Sequence, residues 1–266
     1  MTRVLVIALL VWLLPGASPA QSGAAESISQ GVQAYARAQG LTDRSARAAA
    51  FTRAEQLFND AALRGAGNAD VFANAGTAAL QAERLGPAIL AFRRALSLDP
   101  DHARSRRNLL HARSLLPAWV PRPPEESLLD TFFFWHRALS AAERAGIGAL
   151  CFALAALAFA VALARRSRLA RGLAVLPVMA WLGLTLSLVM EATSSGEQEA
   201  VLTPDETLAR ASDSANAPTR FPEPLPGGTE VTVLESRTRW ARIRLANDLD
   251  AWVNLAAVQR ISASPE

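Results

Sequence analysis

The hydrophobic positions of this chain fall into three patterns. A helical period extends to about residue 116, two unbroken apolar runs occupy the middle, and strand-like alternation appears near the C-terminus. The apolar runs are the plainest. Residues 145–164 and 172–190 contain no charged side chain, and 165–171 between them holds Arg165, Arg166, Arg168 and Arg171 and no acid. At about 1.5 Å of rise per residue, either run crosses a hydrocarbon core about 30 Å thick. The pattern predicts a transmembrane hairpin with an arginine tip at 165–171. Short arginine-rich loops stay cytoplasmic. The tip therefore points inward, and both flanking segments lie on the opposite side.

The start of the chain agrees with that orientation. Arg3 precedes an apolar run at 4–14, followed by Pro15, Gly16 and the small residues Ala17, Ser18 and Ala20. Residues 1–20 are expected to be a secretory signal peptide cleaved after Ala20. An uncleaved anchor would leave the topology the same, since either form exports the segment C-terminal to it. Within the apolar runs, Gly146, Gly148 and Gly183 are expected to allow close helix packing, and Pro177 to kink the second span. Neither run holds an ionisable group, which argues against an ion or proton pathway.

Segment 21–116 has helical spacing and repeats itself. Ala88, Phe92 and Ala95 lie at i, i+4 and i+7, and Ala54, Phe58 and Ala61 reproduce them 34 residues earlier. Phe72 and Gly76 precede the later set and Pro100 follows it. Small residues let antiparallel helices approach, large ones fill the gap between pairs, and Pro100 ends the second helix. The earlier pair has its first helix around Gly31, Ala34 and Tyr35. A last helix at 103–116, with Leu109 and Leu110, caps the stack before Pro117. The spacing resembles that of the tetratricopeptide repeat, with Ala75 and Ala79 departing from its usual larger residues; the alternative is an unrelated helical bundle. The resemblance implies a module that packs its repeats through these residues and grips a protein partner.

A proline-rich linker at 117–127 leads to segment 128–144, where Phe132, Phe133, Phe134 and Trp135 stand in a row. Such a run suits the membrane interface; packing against the helical domain or a partner is the other reading. Ser140 and Glu143 form a capping box at the start of the first span.

Segment 191–266 opens with a polar stretch and then shows strand-like alternation from about residue 229. Val231 and Val233 share one face of a strand; Ala241, Ile243 and Leu245 oppose Trp240, Arg242 and Arg244 on the next. Ala251-Trp252-Val253 begins a third, followed by 255–258 and Ile261, with a turn at Pro226-Gly227-Gly228. Gly228, Val231, Val233, Trp240, Ile243, Ala251-Trp252-Val253 and Val258 resemble a bacterial SH3-like domain over about residues 198–262. The chain departs from that family at Ala251, where glycine is usual, and in a long loop at 212–226. Trp240 and Trp252 either line a ligand surface or fill the core.

Composition narrows the chemistry. All 27 basic residues are arginine, and the net charge is +3. Outside the hairpin tip the arginines are mostly dispersed, so nucleic-acid binding has little support. Cys151 is the only cysteine and sits inside the first span, which leaves no disulfide, zinc site or thiol nucleophile. His102, His111 and His136 stand apart from any acid cluster, and no nucleotide-binding, metalloprotease or nucleophile motif occurs. No cofactor, metal or catalytic residue is expected.

The residues thus predict a multidomain membrane protein: an all-α tetratricopeptide domain, a two-helix transmembrane hairpin and a small all-β SH3-like barrel. That order, with the FFFWHR–SAAER junction, resembles the BatE family of Bacteroides aerotolerance operons. The resemblance implies a non-enzymatic, multi-pass scaffold of the bacterial inner membrane with both large domains periplasmic. Its partners would be von Willebrand A-domain membrane proteins and, indirectly, a MoxR-type AAA+ ATPase. A cell-wall sensor that holds peptidoglycan through its SH3-like module is the alternative.

Overall fold

The computed structural model describes residues 19–123, 139–165, 168–194 and 198–262. The expected signal peptide up to residue 18, the aromatic run Phe132, Phe133, Phe134 and Trp135, and Arg166 lie outside the described residues. The described chain mixes helices with an antiparallel sheet in two compact units. One joins residues up to Arg122 with those from Gln198 onward; the other is Pro123–Glu197.

Five helices open the first unit: α1 (Pro19–Gln39), α2 (Arg44–Ala61), α3 (Ala69–Gln81), α4 (Leu85–Leu98) and α5 (Ala103–Ser114). Polar side chains start them. Asp43 accepts from the Ala46 N–H at 2.7 Å ahead of α2, and Asn68 from the Val71 N–H at 2.9 Å ahead of α3. Consecutive helices pack on one another. In each of the first two pairs a glycine on the first helix lies under a phenylalanine on the second. A Cβ at Gly31 would sit 3.0 Å from the Phe58 ring, and one at Gly76 2.7 Å from the Phe92 ring.

The sheet comes from residues 198–260. Strands β1 (Gln198–Leu202), β4 (Glu230–Ser236), β5 (Trp240–Leu245), β6 (Asp250–Asn254) and β7 (Val258–Arg260) run antiparallel in the order β6-β5-β4-β1-β7. The short β2 (Glu206–Thr207) and β3 (Leu225–Pro226) pair separately. Ala200, Leu202, Val231, Val233, Ile243 and Val253 fill the inner side.

The helical segment and the sheet, read from sequence as separate domains, share a second core. Val201 of β1 and Ile261 after β7 pack among Ile89, Leu90, Leu109 and Leu116 of the helical layer. β1 is therefore covered on both faces, Ala200 and Leu202 toward the sheet core and Val201 toward the helices. At Gly86 on α4, an added Cβ would lie 2.6 Å from the Thr203 carbonyl oxygen, so backbone meets backbone.

The second unit pairs α6 (Ala141–Arg165) with α7 (Arg168–Ser194), which is unbroken at Pro177. The expected capping box forms: Ser140 N donates to Glu143 Oε2 at 2.8 Å, and Glu143 N to Ser140 Oγ at 3.2 Å. The helices meet along an antiparallel stripe. Arg144 donates to Ser187 at 2.6 Å, Gly148 faces Leu184 and Trp181, and the Phe152 and Trp181 rings lie 5.4 Å apart. Gly146 and Gly183 have nothing within contact distance of an added Cβ, so Gly148 alone of the three sits at the helix contact. Among the described residues one helix, over Ala142–Val161, is long and apolar enough to cross a membrane; the apolar stretch described in α7, Val175–Val189, is shorter.

Candidate functional site

Burial decides what the repeated positions do. Ala54, Phe58, Ala61, Ala88, Phe92 and Ala95 are buried between helices, Phe72 is 9% exposed, and Gly76 is covered by Phe92. These residues hold the helices to each other. Pro100 stands exposed in the turn after α4. His102, inconspicuous in the sequence, caps α5: its ring accepts from the Ser105 N–H at 3.3 Å.

The two tryptophans occupy the sheet face away from its core. Strand register sets this. Ala241, Ile243 and Leu245 on β5 and Ala251 and Val253 on β6 point inward, which turns Trp240, Arg242, Arg244 and Trp252 outward. Trp252 therefore lies outside the sheet core, on the half-buried face. The Arg237 guanidinium lies 4.7 Å over the Trp252 ring and pairs with Glu235 at 2.7 Å and with Asp213. Beside it, Asp250 accepts from Arg242 at 2.7 Å and Arg244 at 3.2 Å. Slight burial raises the Asp250 carboxyl, but the two arginine bonds outweigh it and hold the group below the ordinary aspartate value. The face thus offers two half-buried indoles in a frame of arginines already tied to acids.

A third group of residues was not picked out by sequence reasoning and lies where helices and sheet meet. Glu230 at the start of β4 is buried, and both its oxygens accept from Arg113 of α5, at 2.7 and 2.8 Å. Arg93 of α4 lies 3.2 Å from Glu230 and pairs with Glu199 of β1 at 2.7 Å. A bidentate guanidinium on a buried carboxylate fixes orientation as well as contact. Nearby, a cleft of about 400 Å³ opens between α2, α4 and the sheet segment, with Glu55, Phe72, Leu90, Arg94, Thr203 and Gln259 on its walls. Burial pushes the Glu55 carboxyl above the ordinary glutamate value, although Arg84 bonds to it and pulls the other way.

Among the described residues, no three His, Cys, Asp or Glu side chains gather as a metal site would require. No family model matches the chain, nor does any curated protein or solved structure.

Proposed function

We propose that this protein is a non-enzymatic scaffold of the bacterial inner membrane. A tetratricopeptide-like helical layer and an SH3-like β module form one body on the periplasmic side, tethered by a two-span hairpin. The observation that carries this reading is the shared core of Val201 and Ile261 with α4 and α5. Two segments that fold into one core lie on the same side of a membrane. The chain between Arg122 and Gln198 then crosses an even number of times, and the uncharged run at 172–190 supplies the second crossing that α6 requires. The outward side chains of the hairpin fit a lipid surround: Leu150, Leu157 and Phe159 on α6 and Leu176, Met179 and Leu186 on α7 are exposed. The arginines at 165–171 favour a cytoplasmic tip. Glycine under phenylalanine in both helix pairs, with Phe58 and Phe92 one repeat apart, supports the tetratricopeptide assignment. The domain order supports a Bat-type system, in which von Willebrand A-domain membrane proteins would be the direct partners and a MoxR-type ATPase an indirect one.

Cysteine labelling tests the topology. In a Cys151→Ser background, Ser29→Cys, Thr238→Cys and Ser167→Cys are each exposed to a membrane-impermeant maleimide in intact spheroplasts. The first two are expected to react and the third only after lysis. Reaction of Ser29→Cys without Thr238→Cys would place the two segments on opposite sides and end the proposal.

The outward indoles favour a second reading, in which the same anchored body holds the cell wall. Full-length protein incubated with purified sacculi is expected to sediment with them, and the double variant Trp240→Ala/Trp252→Ala to stay in solution. Equal sedimentation of both would remove this reading.

A further inference from the structure

The cleft between α2, α4 and the sheet segment has the size and the charge of a small-molecule site. Its volume of about 400 Å³ lies in the range of ligand pockets and is too small for a folded partner. Phe72, Leu90 and Pro87 supply an apolar wall, with Leu63 almost fully exposed at its edge. Two ionisable groups face it. Glu55 is already matched by Arg84. Arg94 has no such match. Its Nη2 donates to the Arg260 carbonyl oxygen at 3.0 Å, its buried Nε finds no acceptor, and no carboxylate of the described residues pairs with it. Burial lowers its hold on the proton, and no acidic group among the described residues restores it. A partly desolvated guanidinium with no counter-charge is costly, and a carboxylate relieves that cost with strong, charge-assisted hydrogen bonds.

We propose that this cleft binds a small monocarboxylic acid, its carboxylate on Arg94 and its apolar body against Phe72 and Leu90. One unmatched positive charge calls for one negative charge. A phosphate dianion would need a second cation, and the carboxylate of Glu55 on the same wall disfavours it. The proposal goes beyond the scaffold reading, since it gives the junction of the two segments a ligand of its own.

The test uses the full chain in lipid nanodiscs and two probes of nearly equal shape, 3-phenylpropanoate and its neutral amide. Ligand-observed NMR, with empty nanodiscs subtracted, reads the affinity of each. The acid is expected to bind at least about tenfold more tightly than the amide, and Arg94→Gln to abolish that preference. Equal binding of acid and amide, no binding of either up to about 10 mM, or an unchanged preference in a folded Arg94→Gln protein would overturn the proposal. Should Arg94→Gln fail to fold, the ratio of acid to amide on the unaltered chain decides.

Discussion

At Gly86 the absence of one carbon sets how closely helix and sheet approach. A Cβ there would lie 2.6 Å from the Thr203 carbonyl oxygen and 2.8 Å from the Thr203 Cα. Both are backbone atoms, so no rotamer change relieves the clash. The crowding at Gly76 differs in kind, because the atom met there belongs to the side chain of Phe92. Alanine in place of a helical glycine gains up to about 1 kcal/mol from chain entropy, whereas overpacking of a tight contact costs about 1–3 kcal/mol. Gly86→Ala is therefore expected to lower stability on balance. Gly40→Ala, where the nearest atom is 3.6 Å away, is expected to stay within about 0.5 kcal/mol of the unaltered chain. Thermal unfolding of the two variants side by side checks this; equal midpoints would mean that the backbones do not touch at Thr203.

Among the elements, legibility followed locality. The sets Ala54, Phe58, Ala61 and Ala88, Phe92, Ala95 were readable because each buries one helical stripe, and the Ser140–Glu143 box because its partners are three residues apart. The alternation in β4, β5 and β6 was readable for the same reason. Trp252 shows where residue type misleads. Its bulk suggests a core position, but the parity of Ala251 and Val253 turns it outward, and that parity was present in the sequence. Gly148 shows the helical counterpart: Arg144, Gly148 and Phe152 form one stripe at intervals of four, and Gly146 falls off it. β1 was missed for a physical cause. Both its faces are buried, Ala200 and Leu202 on one side and Val201 on the other, so no period marks it. The arginine–glutamate pairs of the junction were out of reach altogether. Arg93 and Glu199 are 106 residues apart and Arg113 and Glu230 are 117 apart, with the hairpin between them.

For the whole molecule, that separation has a consequence that can be measured. Cut at the insert, the first unit becomes two polypeptides, 19–122 and 198–262, neither of which can satisfy its own surface. The β piece would expose Val201 and Ile261 and leave Glu230 without its arginines. The helical piece would expose Ile89 and Leu116 and leave Arg93 and Arg113 without Glu230. Burying that apolar area and pairing those charges drives the pieces back together. Co-expressed without the hairpin, they are expected to elute as a one-to-one complex, and the β piece alone to aggregate or to give a collapsed NMR spectrum. Arg113→Ala strips the bidentate partner from a buried carboxylate, a loss of about 2–5 kcal/mol, so the complex is expected to weaken by about 30-fold or more. Two well-dispersed spectra from fragments that ignore each other would show instead that the segments fold alone. In the intact chain the Pro123–Glu197 insert keeps the two segments on one molecule, so their association is intramolecular. A junction too weak to hold two free fragments would still close there. The affinity of the untethered fragments therefore measures the junction by itself, and its loss in Arg113→Ala measures what the Glu230 pair adds.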